Sequence, residues 1–280
     1  MSAGVGLIAS HVAREALSRR GRCGEVRLSL DLGLSSEICE IRSEGLYARD
    51  VLLEWDFLET VSEDERGIYT VEKPPRKLYF SALGHFYMLA MTSWGHAPTV
   101  EIDGVHMHRV RDMFPEEDAR RKVELMGRLR CRNVLDICTG LGYTAIWAKR
   151  LGACSVKTIE KDENILELAR YNPWSRELFT GGIEIIKGDA VGVVEELDER
   201  FDAILNDPPT IKIAGELYSR QFYQRLYELL KRGGILIHYV GEPGVRSGKR
   251  IYVGVLERLR SVGFSASLDH STRCVKAVKV

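Results

Sequence analysis

The chain has 280 residues, with 40 basic and 40 acidic side chains and a formal net charge of zero. This length accommodates one large domain or a catalytic domain with a smaller partner, and 45% hydrophobic with 29% charged residues is ordinary for a soluble globular protein. No stretch approaches about 18 consecutive apolar residues, so no membrane span is indicated, and the neutral charge neither requires nor excludes a nucleic-acid partner.

The cysteines and the start of the chain bear on metal binding, disulfides and cellular location. The six cysteines show no Cys-x-x-Cys or His-Cys ligand spacing, so the sequence predicts neither a metal site nor a disulfide framework. The first ten residues lack a basic leader and a cleavage pattern, and we expect a cytoplasmic protein. Only two Gln and four Asn occur, and depletion of these heat-labile amides favours a thermophilic source.

The first 110 residues alternate apolar and polar side chains in short pieces, the period of half-buried strands. Strands are predicted at 24–31, 36–42, 67–72, 77–82 and 85–92. Helices are predicted at 5–20 and 50–60, and residues 100–107 predict a hairpin whose two-residue turn is Asp103-Gly104. We therefore expect residues 1–110 to form a small β-rich domain.

Residues 111–280 show a different pattern, in which strands and helices alternate. Pro115 opens a helix predicted over 116–128. The predicted strands that follow are 133–137, 155–160, 183–187, 201–205, 233–240, 264–268 and 273–279. The predicted helices between them are 143–151, 162–171, 190–197, 215–231 and 248–261. This order predicts an α/β, doubly wound, Rossmann-like fold with a mainly parallel sheet.

The segment Asp136-Ile-Cys-Thr-Gly140-Leu-Gly142 closes the first strand of this second part. Gly140 and Gly142 can bring the backbone close under a ligand, and the Asp136 carboxylate can contact an ammonium group. A carboxylate there is unfavourable for a pyrophosphate, so the motif favours S-adenosylmethionine, with its amino acid group retained. A dinucleotide remains the alternative, because Gly140-x-Gly142-x-x-Ala145 also fits the dinucleotide fingerprint.

Two further acids follow strands at the same predicted edge. Glu160 ends the second strand, where it can accept hydrogen bonds from the ribose hydroxyls of either cofactor. Asp189 follows the third strand, near the expected position of the adenine amine. The residues predicted to bind S-adenosylmethionine are Asp136, Thr139, Gly140, Gly142, Tyr143, Glu160, Asp189 and Ala190.

The reacting site is predicted at Asn206-Asp207-Pro208-Pro209, directly after the 201–205 strand. Ligands of a doubly wound sheet gather at the carboxyl ends of its strands. There the Asp207 carboxylate and a carbonyl near Pro208 can bind the two N–H groups of a planar amine and aim its lone pair at a methyl group on sulfur. Asn206, Asp207, Pro208 and Pro209 are therefore the predicted catalytic residues.

Two observations bear on the substrate. Thr210 stands where an aromatic residue that stacks on a base usually follows this motif, so stacking would have to come from Tyr143, Tyr218, Phe222, Tyr223 or Tyr239. Basic residues that could attract a polyanion gather at Arg109, Arg111, Arg120, Arg121, Lys122, Arg128, Arg130 and Arg132, and at Arg246, Lys249, Arg250, Arg258 and Arg260. A solvated helix face is the alternative for the first group, since Glu116, Glu117, Asp118 and Glu124 are interleaved with it.

From about residue 98 onward the chain resembles the spermidine synthase-like branch of the class I methyltransferase superfamily. The similar segments are Asp103-Gly-Val-His-Met107, Asn172-Pro-Trp-Ser-Arg-Glu-Leu-Phe179, Phe201-Asp-Ala-Ile-Leu-Asn-Asp207, Ala214-Gly-Glu-Leu-Tyr-Ser-Arg-Gln-Phe-Tyr223 and Leu230-Lys-Arg-Gly-Gly234. A closer similarity is to a group of predicted archaeal methyltransferases, on Cys138-Thr-Gly-Leu-Gly-Tyr-Thr-Ala145, Asp207-Pro-Pro209 and His238-Tyr-Val-Gly241.

These resemblances imply different reactions. Aminopropyltransferases use decarboxylated S-adenosylmethionine and a polyamine; their catalytic acid would fall on Asp207, but their motif continues with a second acid that this chain lacks. The methyltransferase resemblance implies transfer to an exocyclic amine, cytosine N4 or adenine N6, and the expected partner is RNA, including ribosomal RNA. A polyamine aminopropyltransferase, a small-molecule or protein methyltransferase and a non-catalytic RNA-binding protein remain alternatives, and the sequence is compatible with a homodimer.

Overall fold

The computed structural model describes residues 4–241 and 251–280. The chain forms two compact units, the first comprising Met1–Pro115 with Glu167–Arg176 and the second comprising Glu116–Leu166 with Glu177–Val280. The predicted division into one domain of residues 1–110 and another of residues 111–280 stays a prediction. Every residue predicted to bind the cofactor or to react lies in the second unit.

The first unit consists mainly of short antiparallel strands. Its strands are β1 (Gly6–Ala9), β2 (Gly24–Leu28), β3 (Glu37–Ile41), β4 (Gly45–Ala48), β5 (Val51–Glu54), β6 (Ile68–Val71), β7 (Tyr79–Ala82), β8 (His85–Ala90), β9 (Thr99–Ile102) and β10 (Val105–His106). Its helices are α1 (Ser10–Leu17) and α2 (Trp55–Glu63). The sheets have the orders β1-β6, β2-β3-β4-β5 and β10-β9-β8-β7, which confirms a β-rich N-terminal region.

The hairpin prediction is confirmed, and two helix predictions are partly wrong. Asp103 and Gly104 connect β9 to β10 with φ of 50° and 77°, as a two-residue turn requires. The segment predicted as helix 5–20 begins as β1, and the one predicted as helix 50–60 begins as β5. Their first residues pair with β6 and β4 respectively, and such pairing with another segment is not visible in a local pattern.

The second unit alternates strands and helices as predicted. Its strands are β11 (Asn133–Ile137), β12 (Ser155–Glu160), β13 (Glu184–Lys187), β14 (Phe201–Asn206), β15 (Leu230–Tyr239), β16 (Phe264–Asp269) and β17 (Cys274–Lys279). The helices of this part of the chain are α3 (Pro115–Glu124), α4 (Tyr143–Arg150), α5 (Glu163–Tyr171), α6 (Arg176–Thr180), α7 (Ala190–Glu196), α8 (Arg220–Leu229) and α9 (Ile251–Val262). Helix α6 was not predicted, and residues 248–250 of the last predicted helix lie outside the described residues.

The seven described strands of this unit form one sheet in the order β13-β12-β11-β14-β15-β17-β16. Strands β11 to β15 run parallel, whereas β17 is antiparallel to β15 and to β16. This confirms the α/β, doubly wound, Rossmann-like fold with a mainly parallel sheet. The carboxyl ends of β11, β12 and β14, which carry the predicted motifs, therefore lie at one edge of the sheet.

Apolar side chains hold that edge in place. Strands β11 and β14 are buried almost throughout, as expected for central parallel strands covered on both faces. Helix α8 packs Phe222, Leu226 and Leu229 into the same core at helical spacing. It begins at Arg220 rather than 215, because the Ser219 hydroxyl accepts a hydrogen bond from Phe222 N (3.1 Å) and caps it. The polar residues at the strand ends are thus carried on a rigid scaffold.

Candidate active site

Asp136 lies buried near the carboxyl end of β11. Its Oδ2 accepts a hydrogen bond from the Thr158 hydroxyl at 2.7 Å, and its Oδ1 has no hydrogen-bond partner among the described residues. Burial raises the pKa of Asp136 to about 7, against the opposing effects of hydrogen bonds from the Thr158 and Thr144 hydroxyls. A buried acceptor without a donor costs about 1–3 kcal/mol. An ammonium group at Oδ1 would remove that cost, so the site fits the cofactor group expected there.

The two glycines after β11 have different local roles. Gly140 has φ of 55°, and a Cβ built on it would meet no atom within 4 Å, so space lies open above its backbone. Gly142 has φ of 81°, and a Cβ there would lie 2.7 Å from a Leu178 methyl group. The predicted approach to a ligand therefore applies to Gly140, whereas Gly142 is needed for its backbone conformation and for packing against α6.

Glu160 is fixed at the end of β12 by two backbone hydrogen bonds. Its Oε2 accepts from Gly140 N and its Oε1 from Asp162 N, both at 2.9 Å. Burial raises its pKa, and these N–H groups oppose the rise. Each carboxylate oxygen has a further lone pair, so both oxygens can still accept a hydroxyl hydrogen bond. The hydrogen bond from Gly140 N thereby connects the glycine turn to Glu160, the residue predicted to bind the ribose.

The other predicted cofactor residues lie around the same edge in different settings. Asp189 is exposed and caps α7, accepting a hydrogen bond from Val191 N at 3.0 Å. Ala190 follows it as a buried first residue of α7. The Thr139 hydroxyl contacts the Thr158 hydroxyl at 2.6 Å, so Thr139 supports the residue that holds Asp136. Tyr143 is the first residue of α4, with a buried side chain.

Asn206 joins β14 to β15 inside the core. Its Nδ2 donates to Leu217 O at 3.1 Å and to His238 Nδ1 at 2.8 Å. Burial lowers the pKa of His238 to about 3, so the ring is neutral and can accept at Nδ1. Asn206 Oδ1 is buried without a hydrogen-bond partner among the described residues. In this arrangement Asn206 positions the loop that follows it.

Asp207 is held by a buried ammonium group that the sequence patterns did not identify. Lys122 of α3 donates to Asp207 Oδ2 at 2.8 Å and also lies 2.9 Å from Asp118 Oδ2. Its Nζ sits 3.9 Å from the centre of the Tyr239 ring. The side chains of Lys122 and Asp118 are 7% and 5% exposed, whereas Asp207 is 20% exposed. Asp207 is therefore the member of this cluster that a ligand can reach.

The charges of this cluster depend on one another. Burial raises the pKa of Asp207, and the Lys122 charge and hydrogen bond oppose that rise. Burial lowers the pKa of Lys122, but the two carboxylates more than offset it, so its pKa lies above the usual value. We therefore take Lys122 as a cation between two carboxyl groups. With both carboxyl groups in their ionised form, Asp118, Lys122 and Asp207 together carry one formal negative charge, and Asp207 Oδ1 accepts no hydrogen bond from the described residues.

The loop after Asp207 restricts what can bind beside it. Pro209 O accepts a hydrogen bond from the Tyr218 hydroxyl at 2.9 Å, which leaves the Pro208 carbonyl as the candidate second acceptor. The stacking candidates Tyr143, Tyr218, Phe222 and Tyr223 are buried in the core. The fifth, Tyr239, is half-buried beneath Lys122. Tyr239 is therefore the only one of these five rings that is partly exposed, and Lys122 lies over it.

The basic stripe predicted around α3 is largely occupied by partners within the chain. Ion pairs join Arg109 to Asp112, Arg120 to Glu124, Arg121 to Glu117 and Arg132 to Asp202. Counting Lys122 in this stripe was wrong, because its ammonium group is buried between two carboxylates. Of the second basic group, Arg246, Lys249 and Arg250 lie outside the described residues.

Three further findings concern a cavity, metal-binding clusters and membrane-spanning helices. A cavity of about 480 Å³ lies in the first unit, lined among others by His11, Arg66, Trp94 and His106, and none of the predicted site residues lines it. Over residues 4–241 and 251–280, no three His, Cys, Asp or Glu side chains are arranged to hold a metal ion. Over the same ranges, no helix has the length and apolar character to cross a membrane.

Comparisons with known proteins agree with this geometry. A family model described as "Methyltransferase domain" matches residues 134–234, the span from β11 to the start of β15. The chain is 42% identical over 265 residues to the uncharacterised protein MJ1233 of Methanocaldococcus jannaschii, covering 92% of this chain and 89% of that protein. That similarity includes both units.

More distant similarities are to polyamine aminopropyltransferases. One from Hyperthermus butylicus is 26% identical over 220 residues, covering 75% of this chain and 70% of that protein. A spermidine synthase structure with a transition-state analogue superposes with a TM-score of 0.59 at 18% identity, covering 72% of this chain and 73% of the other. Spermidine synthase from Thermotoga maritima gives a TM-score of 0.54 at 17% identity, covering 72% of each chain. At these identities the superpositions show a shared fold.

Proposed function

The chain belongs to the family of the MJ1233 protein and contains a region that matches a methyltransferase domain, and from this premise we propose that it is an S-adenosylmethionine-dependent N-methyltransferase. Its substrate in this proposal is a neutral, planar amine, the exocyclic amine of a nucleobase in RNA. The observation that carries the proposal is the Lys122–Asp207 ion pair at the end of β14.

The residues at the ends of β11 and β12 fit S-adenosylmethionine, which supplies an electrophilic methyl group on a sulfonium. Asp136 Oδ1 would accept a hydrogen bond from the cofactor's ammonium group, and Glu160 would accept from its ribose hydroxyls. Gly140 leaves space for the cofactor above its backbone. The decarboxylated cofactor also carries an ammonium group, so Asp136 does not discriminate between the two forms, contrary to the inference from its position in the sequence.

Asp207 would orient the acceptor amine. With Lys122 on Oδ2, the free Oδ1 can accept one N–H of the amine, and the Pro208 carbonyl can accept the other. Two such acceptors hold the nitrogen so that its lone pair points away from them. The nitrogen gains positive charge as the new N–C bond forms, and the single net negative charge of the Asp118, Lys122 and Asp207 cluster stabilises it.

The same cluster disfavours a polyamine. A polyamine binds as a cation with two or more charges, whereas this cluster offers one net negative charge, because Lys122 offsets one of its two carboxylates. A neutral amine needs no more than that, since its single positive charge appears only during transfer. Lys122 therefore supports methylation of a weakly basic aromatic amine.

Aminopropyl transfer is the second candidate. Curated relatives at 21–27% identity are named polyamine aminopropyltransferases. Asp207 has the carboxylate that such a reaction needs. A polyamine ammonium at the free Asp207 Oδ1 would lie beside the Lys122 ammonium, so this reaction needs additional negative charge at the site. The two candidates therefore differ in the charge that the acceptor carries when it binds.

Replacement of Asp207 by Asn tests the proposed role directly. Asp207→Asn removes the charge at the acceptor site, and transfer of labelled methyl groups to unmodified RNA should fall by about 10²–10³-fold. Asp202→Asn is the matched control, because Asp202 is also a mostly buried acid with a basic partner. It lies in β14, at the opposite end of the strand from Asp207, and pairs with Arg132 and Lys231. Asp202→Asn should retain most of the activity.

The affinity for the cofactor distinguishes a variant that has lost activity from one that has failed to fold. Both variants should bind S-adenosylmethionine within a few-fold of the unaltered protein by calorimetry, since Asp136 and Glu160 are intact. Full methyl transfer by Asp207→Asn would refute the proposed role of Asp207. RNA retention without turnover in all three proteins would instead support a non-catalytic RNA-binding protein.

A further inference from the structure

Two exposed cysteines lie beside each other at the amino-terminal edge of the seven-stranded sheet. Cys131 stands just before β11, and Cys154 stands directly before β12. Cys131 N donates to Gly152 O at 2.9 Å, and Cys154 N donates to Arg132 O at 3.0 Å. A hydrogen bond joins the two thiols and raises the pKa of Cys131. The two thiols therefore lie within hydrogen-bonding reach of each other.

The backbone around this pair has the spacing that a disulfide needs. Strands β11 and β12 pair in parallel, with Asn133 opposite Ser155, so the continued register places Arg132 opposite Cys154 and Cys131 one residue further back. A strand spacing of about 4.8 Å and an offset of about 3.3 Å along the chain give a Cα separation of about 6 Å, within the range of about 4.4–6.8 Å that a disulfide spans. The sequence spacing did not indicate this pair, because only the β-α-β crossover brings the two strand starts together.

We propose that Cys131 and Cys154 form a reversible disulfide that ties the start of β11 to the start of β12. The oxidant is a small-molecule disulfide. One cysteine thiolate attacks a sulfur of that molecule, breaking its S–S bond and releasing one thiol. The second cysteine thiolate then attacks the first cysteine's sulfur and releases the other thiol. The two thiol protons of the cysteines end on the two released thiols, and the small disulfide is reduced.

This bond would close a loop that contains β11, the glycine turn at 138–142 and α4. That loop carries Asp136 and Gly140, while the bond itself lies at the opposite end of the strands from them. It would therefore stabilise the cofactor-binding segment without contacting the reacting groups. Disulfides inside cells occur in hyperthermophiles, and the low amide content of the chain favours such a setting.

Oxidised glutathione and mass spectrometry test this pair in the full-length protein. After incubation and digestion without reductant, a linked peptide pair containing Cys131 and Cys154 should appear. The oxidised protein should melt about 5–10 °C above the reduced protein. Cys154→Ser should abolish the rise. Cys23→Ser should keep it, because Cys23 is exposed in the first unit and lies outside the pair.

Either of two results would overturn the proposal. The first is glutathione attached separately to Cys131 and Cys154 with no linked peptide. The second is a linked peptide without a rise in melting temperature, which would exclude a stabilising role for the bond. Both readouts compare the unaltered protein in two redox states and involve no turnover, so they are independent of the reaction that the protein catalyses.

Discussion

Asp136 is the residue whose protonation should control cofactor binding. Its folded-state pKa of about 7 lies above the ordinary value of 3.8, so folding favours the protonated form, and the stability contributed by this group declines as pH rises from about 4 to 7. A bound ammonium group needs the ionised form and reverses that preference. The cofactor should therefore bind most tightly at a pH above about 7, where Asp136 is ionised and contributes least to the stability of the free protein.

This gives a pH dependence with a definite sign. With a pKa of about 7, about a tenth of Asp136 is ionised at pH 6 and about nine tenths at pH 8. The dissociation constant for S-adenosylmethionine, measured by calorimetry, should be about tenfold larger at pH 6 than at pH 8. Asp136→Asn should bind more weakly at both values and show no such dependence. An affinity that does not change with pH in the unaltered protein would contradict the role given to Asp136.

Lys122 should set the pH range in which Asp207 works. Lys122→Met leaves Asp207 and Asp118 buried without their cation, so the pKa of Asp207 rises further and the acid limb of the pH–rate profile moves to higher pH. The free energy of unfolding should fall by about 3–5 kcal/mol, as when one partner of a buried pair is removed.

The control for this change is Lys157→Met. Lys157 also contacts two acids, Glu199 at 2.5 Å and Glu184 at 3.3 Å, but it is more exposed and lies outside the Asp207 cluster. Denaturant unfolding of Lys157→Met should show a loss of about 1 kcal/mol or less, with an unshifted pH–rate profile. An unshifted acid limb in Lys122→Met would show that Lys122 does not set the charge of Asp207.

At the scale of elements, the two glycines of the turn between β11 and α4 have different roles, one in cofactor binding and one in packing. Gly140→Ala puts a methyl group into open space, so it should weaken S-adenosylmethionine binding and cost only about 1 kcal/mol of stability from its positive φ. Gly142→Ala adds a contact at 2.7 Å with Leu178 to the same backbone strain, so its stability loss should be larger, about 2–4 kcal/mol.

Chemical denaturation and calorimetry on the two variants would measure this separation. The account expects the larger change in unfolding free energy for Gly142→Ala and the more specific loss of affinity for Gly140→Ala. If Gly140→Ala bound the cofactor as tightly as the unaltered protein, the open space above Gly140 would not be part of the cofactor site.

The elements predicted best from the sequence are those with strong periodicity and clear end signals. Strands β11 and β12 match their predicted ranges, since strands and helices alternate regularly in this part of the chain. The errors fall where pairing with a distant segment decides the structure, as at β1 and β5. Charge alone places Lys122 in the basic group around α3 that could attract a polyanion. Its position beside the buried Ala119 and Val123 on α3 was the signal that could have placed it inside.

At the scale of the whole molecule, the sequence predicted the fold, and the substrate stays a proposal. The order of strands, the motif at β11 and the acid after β14 follow from local patterns. The ion pair on Asp207 joins residues far apart in the chain, and the Cys131–Cys154 contact needs the crossover between two strands. Contacts of this kind depend on the folded arrangement, so no spacing rule could have indicated them.

RNA as the partner is a prediction that belongs to this scale too. Arg120 and Arg121 are paired with acids of their own helix, and Arg132 is paired with Asp202 of β14. The described part of the chain therefore offers polyanions fewer free cations than the sequence suggested. If RNA is the substrate, binding should still weaken with salt, since phosphate contacts release counterions. A filter-binding titration between about 50 and 200 mM salt would measure this, and salt-independent retention would argue for a small-molecule acceptor.

The most direct test of the central claim is a comparison of two cofactors with two acceptors. The purified protein is incubated with S-adenosylmethionine or its decarboxylated form, and with unmodified RNA or a polyamine, and the products are identified by mass spectrometry. We expect a nucleoside heavier by one methyl group with S-adenosylmethionine and RNA, and no aminopropylated product in any combination. An aminopropylated polyamine formed with the decarboxylated cofactor, and no methylated nucleoside, would contradict the account.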